Sequence, residues 1–566
     1  MIKMSQVKVP VKSLLKVLPV QAVKHSIITE AEEKLVMQSA CKILGIKEEI
    51  KNFKIKKKSL DARKKNSQGN NIYYIYQVKL SCNNEQKLVK RYGKNDVLFI
   101  PGNSMENEAV KGKDNIYNIN IKSGSTGRKH VLVAGSGPAG LFAALVLARA
   151  GLNPVIIERG QDIKKRKKAV ADFWNVGLLN PECNVQFGEG GAGTFSDGKL
   201  NTLVKDKDGH NHMVLKTFAE FGAPSEILYL NKPHIGTDRL GKVIEAMRNE
   251  ITRLGGTVLF NTKLTDIIYK DSRLNGVKIA KITGNGICTG EDKIKCSHLV
   301  LAIGHSARDT FYSLYNNGIY IEPKAFAIGV RIEHPQDIIG LSQYGELYKE
   351  LPPADYKLAY TTKAGRGVYS FCMCPGGYVV NASSEPGRLA VNGMSNYARD
   401  GRNANSAIVV TISPEDFKGQ GALAGIEFQR RWEEEAYKQA GGKIPVQLFG
   451  DFCNNIKSTG FGEIIPDIKG SYGFANTRAV IPSVIGDSIE EGIIQFGKRI
   501  KGYSREDAII SGIESRTSSP VRIVRDKTFQ ANIKGVYPCG EGAGYAGGIT
   551  SAAADGIRVA EAVINL

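Results

Sequence analysis

The stretch "HVLVAGSGPAGLFAALVLARAGLNPVIIER", residues 130–159, decides how the rest of the chain is read. It runs from a buried strand through a glycine turn into a tightly packed helix, then into a second strand that ends on Glu158. Gly135, Gly137 and Gly140 form G-x-G-x-x-G between strand and helix, the context in which that pattern marks a dinucleotide site. Gly135 permits the tight turn, Gly137 lets the backbone approach a pyrophosphate, and Gly140 lets helix and sheet pack closely. Pro138 and Ala139 open the helix, whose free N–H groups and partial positive charge suit phosphates. Glu158, 23 residues after Gly135, can accept hydrogen bonds from both ribose hydroxyls of an adenosine, with Arg159 beside it. A carboxylate there repels a 2′-phosphate, so the site suits FAD or NAD rather than NADP.

Reading outward, the far C-terminus settles which dinucleotide is expected. "GVYPCGEGAGYAGGITSAAADG" (535–556) is a strand, then Gly540-Glu541, then a glycine-rich entry through Gly548 and Ile549 into a final helix. It resembles the second flavin signature of the glutathione-reductase-type FAD fold, in which a strand ends in Gly-Asp and the carboxylate holds the ribitol. Here Glu541 stands where Asp is usual. The resemblance implies that the last helix aims its N-terminus at the flavin and favours an anionic reduced ring. "LVLAIGHSARD" (299–309) resembles the strand-to-glycine segment of that fold, with Ala302 and Gly304 near the cofactor. "FGEGGAGTFSDGKL" (187–200), with Gly193, Thr194 and Lys199, resembles the loop that covers the flavin. "NTKLTDI" sits where such proteins hold the adenine with backbone groups, near Leu264.

Longer motifs extend the likeness. "KKSLDARKK", "GGAGTFSDGKLNT", "AIGHSARDT", "SFCMCPGG" and "ESRTSSPVRI" together resemble the family of uncharacterised FAD-dependent dehydrogenases with an added N-terminal domain. The resemblance implies FAD and an oxidoreductase activity, and it supplies no substrate. The expected class is α/β: a Rossmann-like FAD-binding domain of glutathione-reductase-type topology, an inserted α+β substrate domain and a small N-terminal α+β domain. The expected boundaries are 1–125 for a basic, ferredoxin-like N-terminal domain, 130–306 and 535–566 for the FAD-binding domain, and 307–534 for the substrate or cap domain.

The N-terminal segment is set apart by charge. Residues 1–129 hold 26 Lys/Arg against 11 Asp/Glu, about +15 of the chain's +21. Thr29 and Glu32 read as a capping box, followed by helical spacing to a stop at Gly45. Ile72, Tyr74, Tyr76, Val78 and Leu80 would share one face of a strand. A basic loop, "KKKSLDARKKNSQGN", precedes that strand, and "INIKSGSTGRKH" reads as the linker into the next domain. Such a basic module with tyrosines also fits an RNA-associated flavoprotein.

Nine scattered cysteines, an odd number without metal-type pairing, fit free thiols and no metal site. The first twenty residues show neither a secretory apolar core nor a cleavage site. Val131 to Ile157 is broken by glycines and Arg149, so no membrane span is expected, and a cytoplasmic protein is. One glycine motif in strand–loop–helix context argues against a separate NAD(P)H domain of the disulfide-reductase type; NADH and NADPH are the electron donors to test. Candidates for chemistry are Lys199 in the flavin-covering loop, His305 and Arg308 after the glycine of "AIGHSARD", Cys372 with Cys374, and Arg516 in "ESRTSSP". Each has a plainer reading: phosphate or solvent contact, helix entry, ordinary thiols, and satisfied backbone at a turn, respectively. The leading function is hydride transfer through flavin N5 to or from a small-molecule substrate. The alternatives are the RNA-associated flavoprotein and a protein that binds FAD without catalysis.

Overall fold

The computed structural model describes residues 1–47, 50–63, 72–93, 96–100, 129–202, 204, 206–417, 419 and 421–565. The loop expected at 56–70 begins later than its charge suggests, because Lys56–Asp61 belong to the strand Lys51–Asp61; residues 64–70 of it, and most of the expected linker, lie outside the described residues. The chain divides into two compact units. The first comprises Met1–Ile119, Pro224–His234 and Ile339–Ala354; the second comprises Asn120–Ala223, Ile235–Ile338 and Asp355–Leu566.

The first unit is built on a four-stranded antiparallel sheet in the order Lys51–Asp61, Tyr73–Ser81, Ile2–Pro10, Val97–Phe99. The opening strand, Ile2–Pro10, has no clean alternation because a bulge interrupts it between Met4 and Val7, where Gln6 has φ 60°. The helix Glu30–Leu44 starts at Thr29, whose side chain accepts from the Glu32 N–H, and stops at Gly45 in the left-handed conformation (φ 64°). Tyr74, Tyr76, Val78 and Leu80 all point into the core, as their spacing predicts. A charged pair lies among them. Lys58 Nζ sits 2.7 Å from Glu32 Oε1, both side chains fully buried, and the Tyr76 hydroxyl donates to the same oxygen. Lys58 also pairs with Leu230, so the Pro224–His234 segment extends the sheet's edge.

In the second unit five parallel strands lie in the order Val536–Pro538, His298–Leu301, Val131–Ala134, Val155–Ile157, Thr257–Leu259. The last strand of the chain thus sits beside the one that ends at Leu301, which in turn pairs with the strand of the glycine turn. Near-continuous apolar runs suit strands covered on both faces. The first helix (Pro138–Arg149) and the final helix (Ile549–Asn565) cross so closely that a Cβ on Gly556 would lie 2.1 Å from the Ala139 carbonyl oxygen. A three-stranded antiparallel ribbon, Thr262–Lys270, Arg273–Ile282 and Cys288–Ile294, follows the fifth strand of the sheet.

Residues from 326 on build a seven-stranded sheet, in the order Ala359–Thr361, Gly367–Cys374, Asn403–Ile412, Phe326–Pro335, Ile509–Glu514, Ile444–Leu448, Tyr472–Phe474. Its centre carries polar groups. Glu333 is fully buried; one carboxyl oxygen accepts from Asn403 and the Asp467 N–H, and the other has no partner among the described residues. Burial pushes its carboxyl up to about 7. A folded-state value above the unfolded one near 4.3 means that charging Glu333 costs stability. The cost is absent below about pH 4 and grows as pH rises, to about 4 kcal/mol above pH 7. Glu333→Gln removes the titration, so the melting temperature of the wild type should fall relative to that of the variant between pH 5 and 8. Parallel curves over that range would disprove this. No helix among the described residues is long and apolar enough to cross a membrane.

Candidate functional site

Three strand ends meet at one edge of the parallel sheet. Gly135 leaves the first strand with φ 101°, and a Cβ there would sit 2.3 Å from the Ala302 carbonyl oxygen. A Cβ on Gly140 would sit 1.9 Å from the Gly135 carbonyl oxygen, one on Gly540 2.7 Å from Ala139 Cβ, and one on Gly542 2.4 Å from the Gly304 oxygen. Ala302 donates its N–H to the Ala134 carbonyl. Only glycine allows these turns to nest, and open α/β sheets bind ligands at this carboxyl edge. Gly137 caps the first helix, with Pro138 in its first turn, which leaves the N–H groups of that turn for an anion.

The glycine loop 188–193 lies against this turn. Gly190 donates to the Ser136 carbonyl, and a Cβ on Gly191 would be 3.0 Å from Gly137 Cα. The loop is held by a residue the sequence hides. Arg166, in the lysine-rich helix Ile163–Val176, is fully buried and donates to the carbonyls of Asn184, Val185, Gly188, Glu189 and Gly191. Gly193 and Thr194 belong to a short 3-10 turn that faces Ile549; Thr194 Oγ1 is buried with no partner among the described residues.

Glu158 is already engaged within the protein. Its carboxylate accepts from Ser136 N–H (2.9 Å), Ser136 Oγ (2.8 Å), Gly160 N–H (2.9 Å) and Gly188 N–H (3.0 Å). A ribose hydroxyl would have to displace one of these donors. Arg159 is likewise engaged: it donates to Glu182 and Asp309 and stacks 4.0 Å from the Phe187 ring centroid. Leu264 is buried in the antiparallel ribbon opposite Ile279, and its carbonyl accepts from Thr310.

At the C-terminal turn, Gly540 (φ 76°) donates its N–H to Asp555 of the final helix at 2.8 Å. Arg525 binds Asp555 through both terminal nitrogens and also holds the Pro538 carbonyl. This clamp ties the end of the last strand to the final helix. Glu541 Oε1 lies 3.1 Å from His305 Nδ1, and His305 Nε2 is buried without a partner among the described residues. Around the N-terminus of the final helix opens a cavity of about 420 Å³, lined by Lys199, Thr202, Tyr545, Gly548 and Ile549 among others.

The other candidates separate. Lys199 Nζ donates to the Met373 carbonyl and lies 3.9 Å from Asp197, which pairs with Arg399. Cys372 is exposed with φ 43°, at a bulge, whereas Cys374 is buried and donates to the Cys372 carbonyl. Arg331, buried beside them, pairs with Glu514 at 3.0 Å and also donates to the Cys372 carbonyl. Arg308 and Arg516 are not presented to a substrate. Both bind the fully buried Glu433, and Arg516 also reaches Ser306 and Ser384. Burial alone would raise the Glu433 carboxyl; the two guanidiniums overrule it and hold it well below the ordinary range. Sequence reasoning missed Arg166, Glu433, Asp555 and the Arg331–Glu514 pair. Asp555 alone had a local signal, as an acid inside the small-residue run "TSAAADG".

The turns suit a group approached by backbone alone, and the unpartnered His305 and Thr194 atoms suit a polar ligand, which is what a flavin dinucleotide requires. Comparison with known proteins agrees. Residues 128–171 match an FAD binding domain, residues 325–517 match the FAD-dependent protein, C-terminal domain-like family, and residues 1–81 match a domain of unknown function. A Clostridium beijerinckii protein, described as uncharacterised, is 50% identical over 533 residues, covering 93% of this chain and 95% of its own. Solved structures are far looser matches. A variant of E. coli quinol fumarate reductase is 11% identical over 77% of this chain and 69% of that one, with a TM-score of 0.35. L-Proline dehydrogenase from P. horikoshii is also 11% identical, over 77% of this chain and 93% of that one, with a TM-score of 0.32. The fold and its strand-end site define an FAD-binding flavoprotein of the α/β type. The chain belongs to the uncharacterised family of FAD-dependent proteins that its motifs resemble, and its cofactor is FAD.

Proposed function

We propose that this protein is an oxidoreductase that passes hydride between a small-molecule substrate and its FAD, with NADH or NADPH as the diffusing donor, on a glutathione-reductase-type fold. The observation that carries the reading is the convergence of the turns at Gly135, Gly304 and Gly540 beside the N-terminus of the final helix and the cavity around Lys199. When bound, FAD supplies two-electron chemistry at N5. The chain's own residues hold and bias it. The Gly135–Gly140 turn and the first helix hold the pyrophosphate, with Pro138 and Ala139 at the helix start. Glu158 holds the adenosine ribose after exchanging one backbone donor. Gly540, Glu541, Gly548 and Ile549 hold the ribitol and pyrimidine end. The final helix N-terminus and Lys199 favour negative charge on the reduced ring. Anaerobic mixing of purified protein with NADH and NADPH should bleach the flavin absorbance with at least one of them. Retained absorbance with both would remove the proposed donors.

A second reading rests on a separate observation. Lys51, Lys54 and Lys57 are exposed on an edge strand of the first unit, in the most basic part of the chain. This supports RNA association through phosphate contacts. Tyr74 and Tyr76 are core residues, so base stacking on them is not part of it. Binding to single-stranded RNA should weaken steeply between 50 and 200 mM salt and fall in a Lys51/Lys54/Lys57→Ala variant. Absence of RNA binding at 50 mM salt would end it.

A further inference from the structure

We infer that His305 is a proton-transfer residue of the flavin site and that Glu541 is its positioning residue. The inference rests on the oxidoreductase reading and adds where the proton goes. It starts from two turns that touch: a Cβ on Gly542 would lie 2.4 Å from the Gly304 oxygen, so the residues flanking these glycines meet. Their side chains form one contact, His305 Nδ1 to Glu541 Oε1 at 3.1 Å, with the imidazole only 13% exposed.

A carboxylate only accepts, so Nδ1 carries the hydrogen and the neutral ring has Nε2 as its bare acceptor. That Nε2 is buried and has no partner among the described residues. A buried polar atom without a partner is costly, and here it lies at the edge where the ligand binds. The arrangement is that of a base oriented by an acid through its far nitrogen. It also accounts for glutamate in place of the usual aspartate: the longer side chain reaches across to the neighbouring turn.

The charged groups around the ring are known. Glu541 faces it from the C-terminal turn, and Glu514 is close enough to feel its charge from the end of Ile509–Glu514. Arg516 binds the next residue, Ser306, and Lys324 lies near Glu541. The step is then a simple one. As two electrons enter the site from a reductant, Nε2 takes up one proton from solvent or from the reacting group, and the imidazolium balances the negative charge. In the reverse direction Nε2 gives that proton back.

The test needs no substrate. Holoprotein is titrated electrochemically from pH 5.5 to 9, and the slope of midpoint potential against pH gives the protons taken up per two electrons. The wild type should take up up to one proton more than His305→Gln over part of that range. Glu541→Gln should shift that part of the range, and Glu541→Asp, one methylene too short to reach the ring, should behave as Glu541→Gln does. Nitrogen NMR of labelled histidine should show the neutral ring of the wild type protonated at Nδ1 and a changed tautomer mixture in Glu541→Gln. Equal proton counts in wild type and His305→Gln at every pH would overturn the inference while leaving the oxidoreductase reading intact. A bound flavin that cannot be reduced would overturn that reading, and the inference with it.

Discussion

Gly135→Ala is expected to purify almost free of FAD and to bind added FAD at least a hundredfold more weakly than the wild type. The new methyl group has no room. It would lie 2.3 Å from the Ala302 oxygen and 2.9 Å from the Ala302 carbonyl carbon, both backbone atoms of the neighbouring strand end. The residue also holds φ 101°, a conformation that side chains rarely adopt. Relief requires the turn to move, and with it the helix N-terminus proposed to hold the pyrophosphate. A hundredfold loss corresponds to about 2.7 kcal/mol, within reach of a backbone clash plus left-handed strain. Gly151→Ala separates the two effects. Gly151 has φ 79°, yet its Cβ would meet nothing within 4 Å. That variant should lose about 1 kcal/mol of stability and bind FAD normally. The flavin-to-protein absorbance ratio and a fluorescence titration of apoprotein read both outcomes. Unchanged affinity in Gly135→Ala would place the cofactor away from this turn.

Such turns are the part of the site that a sequence shows best. A glycine needed for its backbone is legible one position at a time, because nothing else can replace it. The strand of 131–134, the turn after it and the final strand–turn–helix were all readable on that ground. So was the stripe of Tyr74, Tyr76, Val78 and Leu80, since alternation is local. What was not legible depends on partners far along the chain. Arg166 looks like one more cation in "IKKRKKAV", and only the loop at 184–191, whose carbonyls need donors, explains its burial. Glu433 looks like a surface acid in "RRWEEEAYK", a helix whose charge pattern reads as solvated. Glu158 shows the converse case. Its position was readable, but the four donors that fill its carboxylate come from three segments, and one of them, Gly188, lies 30 residues away. Gly556 belongs with these, because its need for glycine comes from Ala139 of another helix.

Glu433→Ala should be the most destabilising single change in the second unit's polar interior. The carboxylate receives Arg308 at 2.8 and 2.9 Å, Arg516 at 2.9 and 3.1 Å, and the Ser515 hydroxyl at 2.6 Å, with no exposure to solvent. Removing it leaves two guanidiniums buried, with Arg308 still meeting Glu385 and Arg516 meeting only hydroxyls. Breaking a buried pair in this way costs about 3–5 kcal/mol. The pH dependence has a definite sign. The folded carboxyl is held below its ordinary value, while an unfolded glutamate titrates near 4.3, so the stability it contributes is present above about pH 4.3 and is lost as pH falls towards the folded value. Glu433→Gln keeps the shape without the charge. Its melting temperature should therefore lie well below that of the wild type at pH 7, and the gap should narrow as pH falls below 4. A gap that is constant with pH would mean that packing, not charge, holds this centre. The network also reaches the flavin edge. Arg516 binds Ser306, the neighbour of His305, and Arg308 opens the helix that follows. Glu433 thus anchors, from the helix Ala424–Gln439, the turn on which His305 is carried. For that reason Glu433→Gln should also weaken FAD retention, which a purely local packing defect would leave untouched.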